Sequence, residues 1–361
     1  MARLVAMYGE VAAALAERGA TIRAVASEVA FLRNGARDLP PLLAARQHVL
    51  ATLGHAAWAP PLAAIEQAPV DPAHDVELLV WAIVPHRGQG WSAETIPASP
   101  SCACRACALA GARLVRQGDQ RVLHAVNIHG TGHDAYEQAR NMFRAAERLL
   151  EASGMAFQHV VRTWISLRDI DRDYAGLNRA RREFFQERGI VPLPASTGVQ
   201  GVPLAEEHAC AMRLLALESP RPLQRSVMSA ACLNEPSSYG ADFSRGLRVR
   251  EANGIRLHVS GTASIDASGR SVHAGAVAAQ THRMLDNIAA LLGQQGASFT
   301  DVLAGTSYVR DARDAEVLRA IYRQRGFDTF PGPIVVAPLC RPELLCEAEV
   351  VAVLPAAPGS V

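Results

Sequence analysis

The chain repeats itself, because residues 142–169 and residues 284–311 carry the same residue types at matching positions. The first copy contains Met142, Leu149-Leu150, Gly154, Phe157, Val160 and Arg168-Asp169. The second copy contains Met284, Leu291-Leu292, Gly296, Phe299, Val302 and Arg310-Asp311. Because the spacing is preserved without a gap, the repeat indicates structural units that are built in the same way.

The pattern within each copy predicts an alternation of helices and strands. An amphipathic helix ends at a glycine, a buried strand and a second helix follow, and two further strands close the unit. A hairpin with alternating polarity precedes each copy, at residues 111–130 and 246–266. The order β-β-α-β-α-β-β predicts an α+β fold with helices on one face of a mixed sheet.

The first 85 residues match the later part of this unit and lack the opening hairpin. Counting back from Pro85 and Pro355 places Glu77 opposite Glu347. We therefore predict a partial unit at 1–85, a second unit at 86–220 and a third at 221–361. An irregular connection is predicted between the first two units, over residues 86–107, which are rich in Gly, Pro, Ser and Cys.

The composition excludes several classes of function. Lysine is absent, which rules out Schiff-base catalysis and a P-loop lysine. The formal net charge is only +1, so neither a nucleic-acid partner nor a membrane surface is expected. Apolar runs stay far below the roughly 18–20 residues of a membrane span. Seven cysteines, an odd number, favour a reducing cytoplasm over a disulfide framework.

The last predicted strand, Leu344 to Val353, carries Glu347 in an apolar setting. A lone ionisable group in a buried strand is costly when charged, so it usually has a partner or a task. The alternative is that Glu347 and Glu349 merely share an exposed face. Glu349 is expected to lie on the same strand face as Glu347 and to pair with an arginine.

The repeat resembles the YjgF/Rid (chorismate-mutase-like) fold family over nearly the whole chain. The resemblance is carried by the helix–Gly–strand–Arg-Asp–helix order and by the final Glu347-Ala348-Glu349. It implies ligand pockets between neighbouring units of a trimeric ring. A chain with nearly three copies could build such a pseudo-trimeric ring alone, as a monomer.

Three segments are similar to the chorismatases, a group of double-Rid proteins that remove pyruvate from chorismate. They are Ser237 to Gly246, Val259 to Ile265, and Cys340 together with Cys346 to Glu349. The resemblance implies a cofactor-free enzyme whose substrate is chorismate and whose product is 3-hydroxybenzoate, with 4-hydroxybenzoate as a second product. Alternatives are a diol-forming hydrolase, a non-catalytic binder of small molecules, and a Rid-type deaminase. Gly332 disfavours the last, because deaminases carry an arginine there.

This chemistry assigns roles to individual residues. Glu347 is predicted as the general acid, since burial raises the pKa of a carboxyl and keeps it protonated. Cys340 resembles the cysteine of the members that form aromatic products, where a neutral thiol shapes the pocket. The competing interpretations are a structural glutamate and an ordinary buried cysteine.

The two carboxylates of chorismate call for cationic partners. Arg245 is the strongest candidate, although a turn arginine facing solvent would look the same in the sequence. Tyr239 and Ser244 are predicted hydrogen-bond donors beside it. Gly261 and Thr262 follow at a strand end, together with Ser260. Arg319, on the second helix of the third unit, aligns near the position where Rid proteins carry a ligand-facing asparagine. The resemblance makes it a further candidate, against the default of a surface arginine.

A metal site is not expected. Cys102, Cys104 and Cys107 could begin a zinc site with His124 or His129, but no second Cys pair accompanies them. The segment also lies in a predicted connection. We predict neither a metal nor another cofactor.

Overall fold

The computed structural model describes residues 1–85, 88, 90–98, 104, 108–205, 207–251 and 253–355 of the 361-residue chain. The helices are α1 Ala2–Ala16, α2 Gly35–Thr52, α3 Ala135–Ala152, α4 Ile170–Arg188, α5 Val277–Gly293 and α6 Ala315–Arg325. The first eight strands are β1 Val25–Leu32, β2 Leu62–Glu66, β3 Val76–Ala82, β4 Trp91–Pro97, β5 Gly111–Gln117, β6 Gln120–Ile128, β7 Val160–Leu167 and β8 Ala195–Gln200. The remaining strands are β9 Val202–Pro203, β10 Cys210–Glu218, β11 Gln224–Met228, β12 Gly246–Glu251, β13 Gly254–Ala263, β14 Val302–Val309, β15 Ile334–Val336 and β16 Cys346–Pro355.

The second and third units form six-stranded sheets with the same topology. Their strand orders are β4-β5-β6-β10-β7-β8 and β11-β12-β13-β16-β14-β15. In both sheets the last long strand lies between the hairpin and the strand that precedes the second helix. The α+β class and the repeated Rid-like unit predicted from the sequence are confirmed.

The sheet of the first unit has the order β3-β1-β2-β9. Its strands β1, β2 and β3 correspond to β14, β15 and β16, so the unit lacks the hairpin, as the sequence predicts. The fourth strand, Val202–Pro203, comes from the second unit and pairs with β2 through Ile65 and Glu66.

Short polar signals set the ends of the helices. The side chain of Asp134 accepts a hydrogen bond from Glu137 N at the start of α3, and Asp169 caps α4 in the same way. Helix α4 ends at Gly189 and α6 at Gly326, both in the left-handed conformation. Because Asp169 is the cap, α4 begins at Ile170.

The three units close into a pseudo-trimeric ring. The isolated bridge Pro69–Val335 joins the first unit to the third, and Ala195–Ser244 joins the second to the third. The β2–β9 pairing joins the first to the second. One buried cluster contains residues of all three units: Val29, Phe31, Ala63, Ile65, Val126, Val199, Ala263, Tyr308, Val335, Ala337, Leu339 and Leu344.

One sequence prediction about the connections is wrong. Residues 91–97, within the predicted irregular stretch, form strand β4 and pair antiparallel with β5. The side chains of β4 are at most half-buried, as in an edge strand, so its sequence alternates only weakly between apolar and polar residues. The neighbouring Gly and Ser residues made the segment resemble an irregular connection. The boundaries 85/86 and 220/221 between units stay predictions. Among the described helices, none is long and apolar enough to cross a membrane.

Candidate active site

Glu347 lies on β16 with a side chain that faces the neighbouring unit. The alternate residues Cys346, Ala348 and Val350 pack in the core of their own unit, which turns Glu347 and Glu349 toward the opposite face. Glu347 is only 6% exposed. Burial, together with the smaller effect of the negative charge on Glu349, raises the pKa of the Glu347 carboxyl to about 8. The carboxyl is therefore protonated at neutral pH.

Glu349, two residues along the same strand, has strong partners in the second unit. Its Oε2 accepts a hydrogen bond from Arg162 Nη2 at 2.5 Å, and its Oε1 accepts one from Trp164 Nε1 at 2.7 Å. Both partners lie on β7. The predicted pairing of Glu349 with an arginine is confirmed, and Glu347 and Glu349 therefore occupy different electrostatic environments.

A chain of hydrogen bonds connects this ion pair to the strand opposite Glu347. Arg162 Nη2 also donates to Thr197 Oγ1 at 2.5 Å, and the same oxygen accepts from Gly261 N at 2.9 Å. Ser196 N of the second unit donates to Ser260 Oγ of the third unit at 2.9 Å, and Ser260 in turn donates its hydroxyl to Ser244 O at 2.6 Å. The boundary between the second and third units is thereby held together at the bottom of the site.

A cavity of ≈ 80 Å³ opens at this boundary. The residues that line it are Tyr174, Arg181, Ser196, Thr197, Gly198, Phe243, Arg245, Gly261, Ala263, Ile265, Cys340, Arg341, Leu344 and Glu347. Four of the predicted site residues are therefore brought together, namely Glu347, Cys340, Arg245 and Gly261.

Three arginines approach the cavity from different elements. Arg181 comes from α4 of the second unit, where it is 2% exposed. Arg245 is oriented by Asn234, because Nε donates to Asn234 O at 2.9 Å and Nη2 donates to the side-chain oxygen at 3.0 Å. Arg341 follows Cys340 in the loop before β16. Converging guanidinium groups are suited to a ligand that carries carboxylates.

Cys340 is a neutral thiol in this setting. Burial raises its pKa to about 12, with a further contribution from the charge of Glu347. Its side chain is hydrogen-bonded to Tyr174 of the second unit. A thiol with so high a pKa is not a nucleophile at neutral pH. Its predicted role in shaping the cavity stays a prediction.

Three predicted binding residues do not line the cavity. Arg319 is half-buried on α6 and pairs with Glu316 at 2.6 Å, and its charge acts on Glu77 of the first unit. Thr262 is buried and donates to Ser260 O at 2.8 Å, which turns it back toward its own strand. Ser244 is buried at the bridge to Ala195. For Tyr239, the structure describes only the backbone, in the short helix Pro236–Tyr239.

The sequence interpretation missed the residues that the second unit contributes, above all Tyr174, Arg181 and Thr197. Each belongs to a segment whose local pattern is that of an ordinary helix or strand. The expected position of Rid pockets between units was the signal that could have identified them. That expectation identifies particular residues only when it is known which face of the second unit contacts β16.

The predicted absence of a metal stays a prediction. Within the described part of the chain, no three His, Cys, Asp or Glu side chains are placed to hold a metal ion. Cys102 and Cys107 lie outside the described residues. Cys104 Sγ is 3.3 Å from His208 Nε2, and His129 stacks on His208 with ring centroids 4.3 Å apart.

Comparison with known proteins places these features in a family. The model of the Endoribonuclease L-PSP family matches residues 124–216 and 234–354. A chorismatase of Streptomyces hygroscopicus is 26% identical over 219 residues, 54% of this chain and 62% of that protein. The alignment thus spans less than two thirds of that relative. A RutC family protein of Pyrococcus abyssi is 29% identical over 111 residues, 30% of this chain and 84% of that protein.

The crystal structure of a chorismatase superposes with a TM-score of 0.64. It is 19% identical, and the superposition covers 91% of this chain and 93% of that one. This likeness shows a shared fold that includes the partial first unit.

Proposed function

Because this chain belongs to the Endoribonuclease L-PSP family, we propose that it is a chorismatase that releases pyruvate from chorismate. The observation that carries the proposal is the protonated Glu347 at the base of a cavity with three arginines. A carboxylic acid at neutral pH is what the protonation of an enol ether requires. The similarity to a chorismatase over 219 residues supports the choice of substrate.

In the proposed reaction, Glu347 gives its proton to the methylene carbon of the enolpyruvyl group. The double bond supplies the electron pair, and an oxocarbenium ion forms next to the ether oxygen. Attack of the substrate's own C4 hydroxyl on C3 breaks the C3–O bond and expels pyruvate. The resulting epoxide aromatises to 3-hydroxybenzoate, or to 4-hydroxybenzoate as a second product, and the proton lost returns to Glu347.

The cavity supports the intramolecular path over attack by water. At ≈ 80 Å³ it is smaller than pockets that hold drug-sized ligands, so the arginine side chains must separate to admit the ring. A ring that fills such a space leaves little room for water. The neutral thiol of Cys340 adds no competing nucleophile. Arg181, Arg245 and Arg341 are the candidate partners of the two carboxylates.

One assay tests the proposal and separates its rivals. The purified protein is incubated with chorismate, pyruvate is followed with lactate dehydrogenase, and the ring product is identified by chromatography against a protein-free control. Release of pyruvate with hydroxybenzoate is expected. Pyruvate with a cyclohexadienediol would replace the aromatic path by hydrolysis, and the absence of pyruvate would overturn the proposal.

A further inference from the structure

Three equivalent positions of the three units meet at the centre of the ring. They are Leu79 on β3, Arg213 on β10 and Glu349 on β16. Each pairs with the residue that lies three positions before the end of the neighbouring strand: Val29, Trp164 and Thr306, respectively. The same position in the repeated unit therefore carries an apolar, a cationic and an anionic side chain.

These three side chains line one small cavity of ≈ 20 Å³, together with Arg162 and Trp164. It is separate from the cavity that contains Glu347. About 10–15 Å³ of such volume is enough for one water-sized particle. The central cavity therefore has space for a single small ion.

The charges around this cavity do not balance. Arg162 is 1% exposed and binds Glu349 through Nη2, but its Nε and Nη1 have no hydrogen-bond partner among the described residues. The guanidinium of Arg213 lies 4.9 Å from the centre of the Trp164 ring. Neither a hydrogen bond nor an ion pair to Arg213 occurs in the part of the chain that the structure describes.

Nearby acidic groups do not supply the missing charge. Glu349 is the carboxylate of the cavity and is already bound to Arg162. Tyr308 is fully buried beside it, and burial keeps its hydroxyl protonated. Two guanidinium groups therefore face one carboxylate. Arg213 is half-buried, whereas Arg162 is fully buried with two nitrogens that lack a hydrogen-bond partner among the described residues, which is costly in a dry environment.

We propose that the central cavity binds one monovalent, halide-sized anion, such as chloride, between Arg213 and the free edge of Arg162. The anion neutralises the second guanidinium, and the Trp164 ring covers it. Leu79 contributes an apolar wall at the third equivalent position. In this proposal the bound anion stabilises the ring of units, because it compensates charge where all three units meet.

The experiment uses the full chain, exchanged into a gluconate buffer without halide. Thermal unfolding is measured with increasing chloride or bromide against gluconate at equal ionic strength. An increase of Tm by about 2 °C or more that saturates with halide is expected, because a ligand of the folded state stabilises it by mass action. Crystals grown in bromide should show an anomalous peak in the cavity. Equal Tm values in halide and gluconate, or a cavity without a peak, would overturn the proposal.

Two variants remove the halide dependence for opposite reasons. Arg213→Met deletes the uncompensated cation, and Leu79→Glu provides a tethered anion at the equivalent position. Both are expected to unfold at the same temperature in chloride and gluconate. Arg319→Met, a change on an exposed helix, should retain the wild-type response. A Tm of Arg213→Met that still increases with halide would exclude this site. If Arg213→Met does not fold, the same result in Leu79→Glu would exclude it.

Discussion

Gly261 on β13 and Glu347 on β16 are so close that a β-carbon on Gly261 would lie 2.1 Å from Oε1 of Glu347. The carboxyl therefore occupies the space that any other residue at position 261 would fill. Glycine is required here because the side chain of Glu347 approaches so closely. The backbone N–H of Gly261 donates a hydrogen bond to Thr197 Oγ1.

We expect Gly261→Ala to lower turnover by about a hundredfold or more, because the methyl group must displace Glu347, the proposed general acid. Turnover of chorismate measures the effect. Gly293→Ala is the matched control: a β-carbon there meets no atom within 4 Å, so its activity should equal that of the wild type. Normal turnover in Gly261→Ala would show that the position of Glu347 is not critical.

Replacement of Glu347 by Gln should reduce turnover by at least about a hundredfold, the magnitude of positioned acid catalysis. The amide cannot donate a proton at the required acidity. Glu77→Gln changes the equivalent residue of the first unit and should leave pyruvate release unchanged. A near-normal rate in Glu347→Gln would remove this residue from the mechanism.

The pH dependence of turnover should have a basic limb near pH 8. In the proposed reaction Glu347 acts in its protonated form, so the rate should be constant below its pKa and fall above it. Replacing Glu349 by Gln removes a negative charge and frees Arg162 to stabilise the ionised Glu347. We expect the limb of Glu349→Gln to move to lower pH by about one unit or more.

Trp164→Phe provides the control for that shift. It removes one hydrogen bond to Glu349 and keeps the charge, so its basic limb should stay near pH 8. A limb that is unchanged in Glu349→Gln would show that the two carboxyl groups are not coupled.

Stability should also report the protonation of Glu347. Its pKa is about 8 in the folded chain and about 4.5 in the unfolded chain, so the folded state binds the extra proton between these values. The stabilisation is complete below about pH 4.5 and is lost as the pH rises through 8. Denaturant unfolding at several pH values should show that Glu347→Gln gains stability over the wild type by a few kcal/mol across this window. If the free energy of unfolding has the same pH dependence in the two proteins, the raised pKa of Glu347 is contradicted.

Arg181→Met is expected to raise KM for chorismate by about tenfold or more, since it removes a charge-assisted hydrogen bond to a carboxylate. Arg319→Met should leave KM unchanged, because Arg319 lies outside the cavity. Equal KM values for the two variants would exclude Arg181 as a carboxylate partner.

Local sequence patterns were sufficient to predict the repeated units but not the contacts between one unit and the next. The repeated pattern predicts that Glu347 lies on a buried strand. Because side chains alternate along a strand, Glu347 lies on the face opposite to Cys346 and Ala348. Arg181 could not be predicted in the same way, because a buried arginine on a helix follows no apolar period. Its position depends on how the second unit packs against the third, over residues distant in the chain.

Arg319 was assigned to the site from its alignment with a ligand-facing position of related proteins. In the ring, α6 faces the first unit, so Arg319 lies near Glu77 instead of Glu347. Equivalent helices face different neighbours around a ring, and a sequence alignment does not record which neighbour that is.

The continuous chain has a consequence for the centre of the ring. In an assembly of three identical subunits, a single residue type would occupy all three axial positions, and any charge there would meet two copies of itself. Covalent linkage lets leucine, arginine and glutamate share those positions. Each unit can therefore accumulate substitutions independently, so that a single boundary can acquire a site without the same change at the other two.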